Sequence, residues 1–186
     1  MSYSLSNHFL IAMPTLMEPQ FYHSVILVVE HNSNGAMGVI INQPTDLTFT
    51  KIIDHFNIKP EDETNPLLQQ KILRGGPLKK EHGFILHQGR GDWRATVPIG
   101  ENLGLTASRD IINAMVDAKG PEQALIILGC SGWVSGQLEE EMRDNIWLTV
   151  PADPQIIFDC PFHERWHKAA SLIGVDVERL CEAGHA

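Results

Sequence analysis

The stretch VILVVEHNSNGAMGVII, residues 25–41, decides the fold class. Val25–Val29 and Met37–Ile41 are two apolar, β-branched runs, and His31-Asn32-Ser33-Asn34-Gly35 between them is turn chemistry. The spacing predicts a β-hairpin. A strand with one wet face alternates apolar and polar residues. These two do not, which predicts a central hairpin covered on both sides.

Downstream of the hairpin, a helix is expected from Asp46 as cap, with Phe49, Ile52, Ile53 and Phe56 on one apolar stripe. Lys59–Pro66 is acidic, flanked by prolines and read as a surface loop. Ile72-Leu73 and Phe84–Leu86 read as short strands around Gly75-Gly76-Pro77, and Ala95–Ile99 as another. Thr106 or Ser108 starts a second helix that buries Ile111, Ile112 and Met115 and stops at Gly120-Pro121. Leu125–Leu128 is a buried strand. Gly129–Trp133 reads as a loop leading into a third helix over about Ser135–Asn145, with Glu139 and Arg143 as an i, i+4 pair. Ile146–Val150 and Ile156–Phe158 read as strands. A last helix carries Trp166, Ala169, Ala170 and Ile173 and stops at Gly174. Helices and strands interspersed without a strict βαβ repeat predict a mixed α+β sheet in a single domain over residues 1–186.

Composition narrows the function classes. Hydrophobic residues make up 43% and charged residues 20% of the 186, so disorder is excluded. The net charge of −9, and the absence of Lys or Arg before Lys51, argue against a nucleic-acid surface. No apolar run reaches a membrane span, and the Phe9–Met13 stretch is too short for a signal sequence. Cys130, Cys160 and Cys181 form an odd set without CxxC, which points to a reducing cytoplasm.

Four segments could carry chemistry. His163-Glu164-Arg165-Trp166-His167 spells HExxH, which on a helix puts His163 and His167 on one face as metal ligands. Nine histidines in the chain also produce such a match by chance, and a third ligand would have to come from Glu178, Glu182 or His185. Gly129-Cys130-Ser131-Gly132, after a strand and before a helix, outlines a nucleophile elbow, although Trp133 stands where G-x-S-x-G needs glycine. Cys130 and Ser131 are the candidate nucleophiles there, with Glu139 assisting. Gly75-Gly76 near Lys79 and Lys80 outlines an anion-binding turn. Arg90-Gly91-Asp92 reads as a polar turn.

Several ordered blocks together resemble the YqgE/AlgH family of bacterial proteins. They are His8–Pro14, Glu30-His31-Asn32 with Gly35–Gly38, Gly75–Pro77, Gly83–His87, Ser131–Trp133 with Gly136–Glu139, and Arg165-Trp166. The resemblance implies a bifurcated, partly barrel-like sheet surrounded by helices. It also implies a cytoplasmic bacterial protein with no established activity and no catalytic set to carry over. The AlgH branch bears a label as a transcriptional regulator of alginate synthesis.

The expectation is therefore a non-enzymatic module that binds a protein or small ligand, without cofactor, with any effect on transcription indirect. Its binding residues are expected where His31, Asn32, Gly75 and Gly76 approach Gly132, Trp133, Gln137 and Glu139. The alternative is a hydrolase or transferase with its site at Cys130–Gln137.

Overall fold

Val25–Asn32 (β2) and Gly35–Ile40 (β3) form the expected hairpin, in register Ile26↔Ile40, Leu27↔Val39 and Val28↔Gly38. The turn is shorter than the sequence suggests. Both strands continue through His31-Asn32 and Gly35-Ala36, leaving only Ser33-Asn34 as the connection, with Asn32 Oδ1 accepting from the Asn34 N–H at 2.8 Å. A slip of register between Val28 and Glu30 places a bulge in β2. The computed structural model describes residues 3–183.

The hairpin lies inside a ten-stranded sheet. Its other strands are His8–Ala12 (β1), Pro44–Thr48 (β4), Lys71–Arg74 (β5), Leu78–Gln88 (β6), Thr96–Ile99 (β7), Leu103–Thr106 (β8), Ala124–Val134 (β9) and Trp147–Pro151 (β10). The main path runs β10-β1-β2-β3-β9-β6-β8-β7, with β4 and β5 branching off beside β9. The fold is α+β, and the sheet curls into a half-barrel.

β9 is where the sheet divides. Its first half, Ile126–Leu128, runs parallel to Ile72–Arg74 of β5. Its second half, Ser131–Val134, runs antiparallel to Gly35–Gly38 of β3, while β6 pairs along the opposite edge. The expected loop over Gly129–Trp133 is therefore strand. Gly129 adopts φ +82° and sits close to the Gly76 and Leu78 carbonyls, so the chain bends there without leaving the ladder.

The helices are Phe49–His55 (α1), Arg109–Val116 (α2), Gln137–Arg143 (α3), Pro154–Phe158 (α4), Arg165–Ser171 (α5) and Val177–Ala183 (α6). Asp46 does not cap α1, because residues 44–48 pair with β5 as a strand, and Thr48 holds the cap position. The second helix ends at Val116, before Gly120-Pro121, with Ala118 in a left-handed conformation. The Ile156–Phe158 run is helical rather than extended. The Asp153 side chain accepts from the Gln155 N–H and Pro154 presets the first helical φ, so local capping overrides the β-branched pair.

Both faces of the hairpin are covered. Phe9, Ile11, Val25, Leu27 and Val29 point into one core, which Ile157, Trp166, Ala169 and Val177 of α4–α6 complete. Leu10, Ile26, Val28 and Ile40 point the other way, into a core closed by Trp133, Leu138 and Trp147. A third core lies between α1, α2 and the β5–β6–β9 region, around Phe49, Ile72, Ile111 and Ile126.

Candidate functional site

The β2–β3 turn and α3 meet at one junction. The Leu5 N–H donates to His31 Nδ1 at 3.0 Å, so Nδ1 is the acceptor nitrogen and the ring proton sits on Nε2. Nε2 donates to Glu139 Oε1 at 2.8 Å. Only 6% of the His31 side chain is exposed, against 51% for Glu139, so the imidazole is fixed while the carboxylate faces water. The His31 hydrogen bond holds the Glu139 carboxyl below the usual range, helped by a backbone N–H. The expected Glu139–Arg143 contact is not formed as a salt bridge among the described residues. Ser135 Oγ donates to the Ser33 carbonyl at 2.6 Å and ties the start of α3 to the hairpin tip.

Beneath this contact lies a carboxylate that sequence reasoning missed. Glu141 Oε2 accepts from both indole N–H groups, Trp133 Nε1 and Trp147 Nε1, each at 2.8 Å. Its Oε1 accepts from Gln137 Nε2 at 3.1 Å, and Gln137 Oε1 in turn accepts from the Val134 N–H at 3.1 Å. The two indole rings meet edge to face, 6.3 Å between centroids. Trp133 and Gln137 are thus locked in place by Glu141.

The glycine turn lies one strand away. The Gly75 carbonyl accepts from the Ile40 N–H at 2.9 Å and from Ser131 Oγ at 3.2 Å, and the Gly75 N–H donates to the Leu128 carbonyl at 2.8 Å. A side chain on Gly76 would overlap the Cys130 carbonyl and Ser131 Oγ. The turn is thus a close backbone crossing, and its Gly75 N–H is not available to an anion. His31, Asn32, Gly132, Trp133, Gln137 and Glu139 come together at the junction, and Gly75 and Gly76 pack against the neighbouring Cys130-Ser131 step.

The elbow reading does not survive this geometry. Cys130 and Ser131 lie within β9, not on a strand-to-helix turn, because the ladder to β3 continues past them. Cys130 is 3% exposed. Burial pushes its thiol up, against the weaker opposing influence of Lys79. The Ser131 hydroxyl donates to the Gly75 carbonyl rather than to a histidine.

HExxH is broken between two elements. His163 and Glu164 belong to a short 3₁₀ turn, Phe162–Glu164, and α5 begins only at Arg165. The His163 side chain is 83% exposed, and His167 Nε2 reaches Glu178 Oε1 at 3.2 Å. Among the described residues no three His, Cys, Asp or Glu side chains gather to hold a metal. His185 lies outside the described residues.

A family model described as AlgH-like matches residues 9–178. The chain belongs to the AlgH-like family. UPF0301 proteins of Thioalkalivibrio sulfidiphilus and Proteus mirabilis are 45% and 46% identical to it, each alignment covering at least 98% of both chains. The solution structure of AlgH from Pseudomonas aeruginosa superposes with a TM-score of 0.79 at 41% identity, over 97% of this chain and 94% of that one. A crystal structure of a Corynebacterium diphtheriae protein gives 0.74 at 19% identity, over 97% and 93%, and shares the fold.

Two more polar groups of this AlgH-like chain were invisible to motif reading. His87 is fully buried, and its Nε2 lies 2.8 Å from Thr106 Oγ1, which lies 2.7 Å from Thr96 Oγ1. Thr96 Oγ1 also donates to the Trp93 carbonyl at 3.0 Å, and on the other side of the ring His87 Nδ1 lies 3.4 Å from the Gln88 carbonyl, so the imidazole has polar neighbours at both nitrogens. Arg165 entered only as a spacer within HExxH and as part of a family block, yet it is 2% exposed. No helix among the described residues is long and apolar enough to cross a membrane.

Proposed function

We propose that this AlgH-like chain is a non-enzymatic binding module. Its α3–hairpin junction docks a protein partner in the cytoplasm, and any influence on transcription runs through that partner. The contact from His31 Nε2 to Glu139 Oε1 carries this reading. It fixes a turn and a helix into one preorganised surface, and rigid surfaces lose less entropy on association. Val134, 72% exposed, supplies an apolar centre at the end of the strand that leads into α3, whose first turn carries Glu139 and Glu140. That pattern suits a partner with an apolar contact ringed by basic side chains.

The competing hydrolase or transferase at Cys130–Gln137 lacks support on two counts. The thiol is buried and raised, and the Ser131 hydroxyl is committed to the Gly75 carbonyl.

A Val134→Glu, Glu139→Lys double variant tests the proposal. Both positions are exposed, so the fold is expected to remain intact. Wild-type protein should retain a specific partner in quantitative affinity capture, and the variant should lose it about tenfold or more. Equal retention by both overturns the docking surface. Turnover of an ester or phosphoester abolished by Cys130→Ala with Ser131→Ala overturns the non-enzymatic reading.

A further inference from the structure

Arg165 is a buried cation without a counter-charge. Its Nε donates to the Cys160 carbonyl at 3.0 Å and Nη1 donates to the Ile41 carbonyl. The guanidinium lies over the Phe162 ring, 4.5 Å from Cζ to the centroid. Its second terminal nitrogen makes no hydrogen bond, and no carboxylate forms a salt bridge with it, among the described residues. Desolvation lowers its pKa to about 10. Two carbonyls satisfy part of the group, but an ionised side chain taken from water without a compensating charge is costly.

Arg165 is also one of the residues lining a cleft of about 750 Å³. This cleft lies between the 3₁₀ turn Pro66–Gln69, the end of α2, the start of β9 and the α4–α5 connection. Leu67, Met115 and Phe158 give it an apolar lining. Its volume falls within the range of small-molecule sites, ~300–1,000 Å³. Glu122 and Asp159 also line it; both are exposed, and Gln123 Nε2 holds Asp159 Oδ1 at 2.7 Å.

We infer that this cleft binds a small organic acid carrying one carboxylate, which pairs with the terminal nitrogen of Arg165 left without a hydrogen bond while its apolar body packs against Leu67, Met115 and Phe158. A guanidinium N–H donates a short, charge-assisted hydrogen bond to a carboxylate oxygen. The carboxylates of Glu122 and Asp159 in the same lining repel multiply charged anions most, so phosphate esters and nucleotides are disfavoured. The cleft shares no residue with the α3–hairpin junction. Its failure would leave the docking proposal standing, and the reverse holds too.

The test titrates ¹⁵N-labelled full-length protein with 4-phenylbutyrate and, separately, with inorganic phosphate at matched ionic strength. Phenylbutyrate should shift the Arg165 Nε–Hε signal and the amides of Leu125 and Phe162 saturably, and phosphate should not. Arg165→Lys and Leu67→Trp should each weaken binding about tenfold or more. Leu67→Trp fills the cleft from a half-buried position and keeps the test decisive if Arg165→Lys fails to fold. The inference is overturned if phenylbutyrate gives no saturable shift at Arg165 up to concentrations on the order of 10 mM. Unchanged binding in Leu67→Trp, or phosphate binding as tightly as phenylbutyrate, overturns it equally.

Discussion

Single side chains hold this protein together by receiving several donors at once. Glu141 is the plainest case, since one carboxylate oxygen serves two indoles. Hydrogen bonds to a charged acceptor contribute more than neutral ones, so Glu141→Gln is expected to cost ~1–3 kcal/mol in urea unfolding. Tryptophan emission should shift to longer wavelength in the folded variant, because Trp133 and Trp147 lose their fixed partner. His87 gives the pH dependence. Burial holds its imidazole below the ordinary range, so the unfolded chain takes up a proton before the native one does. Stability is therefore fully present above the ordinary imidazole value of about 6.5 and is lost as pH falls below it. The loss levels off once the native imidazole also protonates. His23, lowered by burial and then by the nearby His167, acts in the same direction. Thermal unfolding should show a lower Tm at pH 5.5 than at pH 7.5, and His87→Asn should flatten that difference. A Tm independent of pH would contradict the assignment.

At the level of elements, β9 organises the sheet, and Gly129 makes its double pairing possible. Gly129→Ala brings a Cβ to 2.8 Å from the Gly76 carbonyl oxygen at a φ of +82°. It should cost ~2 kcal/mol or more, since a left-handed alanine alone costs ~1–2. Gly83→Ala on the neighbouring β6 meets nothing closer than Leu128 Cδ2 at 3.9 Å, and should be neutral or slightly stabilising. Urea midpoints of the two variants separate the close approach from a general intolerance of alanine in these strands. The hairpin of residues 25–41 was legible in the sequence because its apolar runs and its turn residues agree. The helices α1 and α2 were legible from their apolar positions, and α3 from its charge pattern. The second half of β9 was not, because Gly-Cys-Ser-Gly has the composition of a turn and only partners distant in sequence make it a strand. β4 and β8, four or five residues long, lack enough positions to show a period. α6 follows too closely on Gly174 to be distinguished from the end of the preceding helix. At the junction, the gathering of His31 with Glu139 followed from ordered blocks of polar turns. Glu141 did not, since an acid beside two others near a helix start reads as a solvated face until Trp147 is placed next to it.

For the molecule as a whole, three cores share one sheet, and the four tryptophans sample all of them. Trp133 and Trp147 belong to one, Trp166 to another, and Trp93 packs against the third. Unfolding in urea is expected to give coincident transitions by tryptophan fluorescence and far-ultraviolet circular dichroism, as for one cooperative unit. Separate midpoints would divide the chain into independently stable parts. The double pairing of β9 has a further consequence during synthesis. All three of its neighbours, β3, β5 and β6, precede it in the chain. A nascent polypeptide still short of Val134 therefore emerges from the ribosome with their β9-facing edges open, and exposed edges invite association with other chains. Nascent chains arrested before β9 should engage chaperones, and release past it should end that engagement.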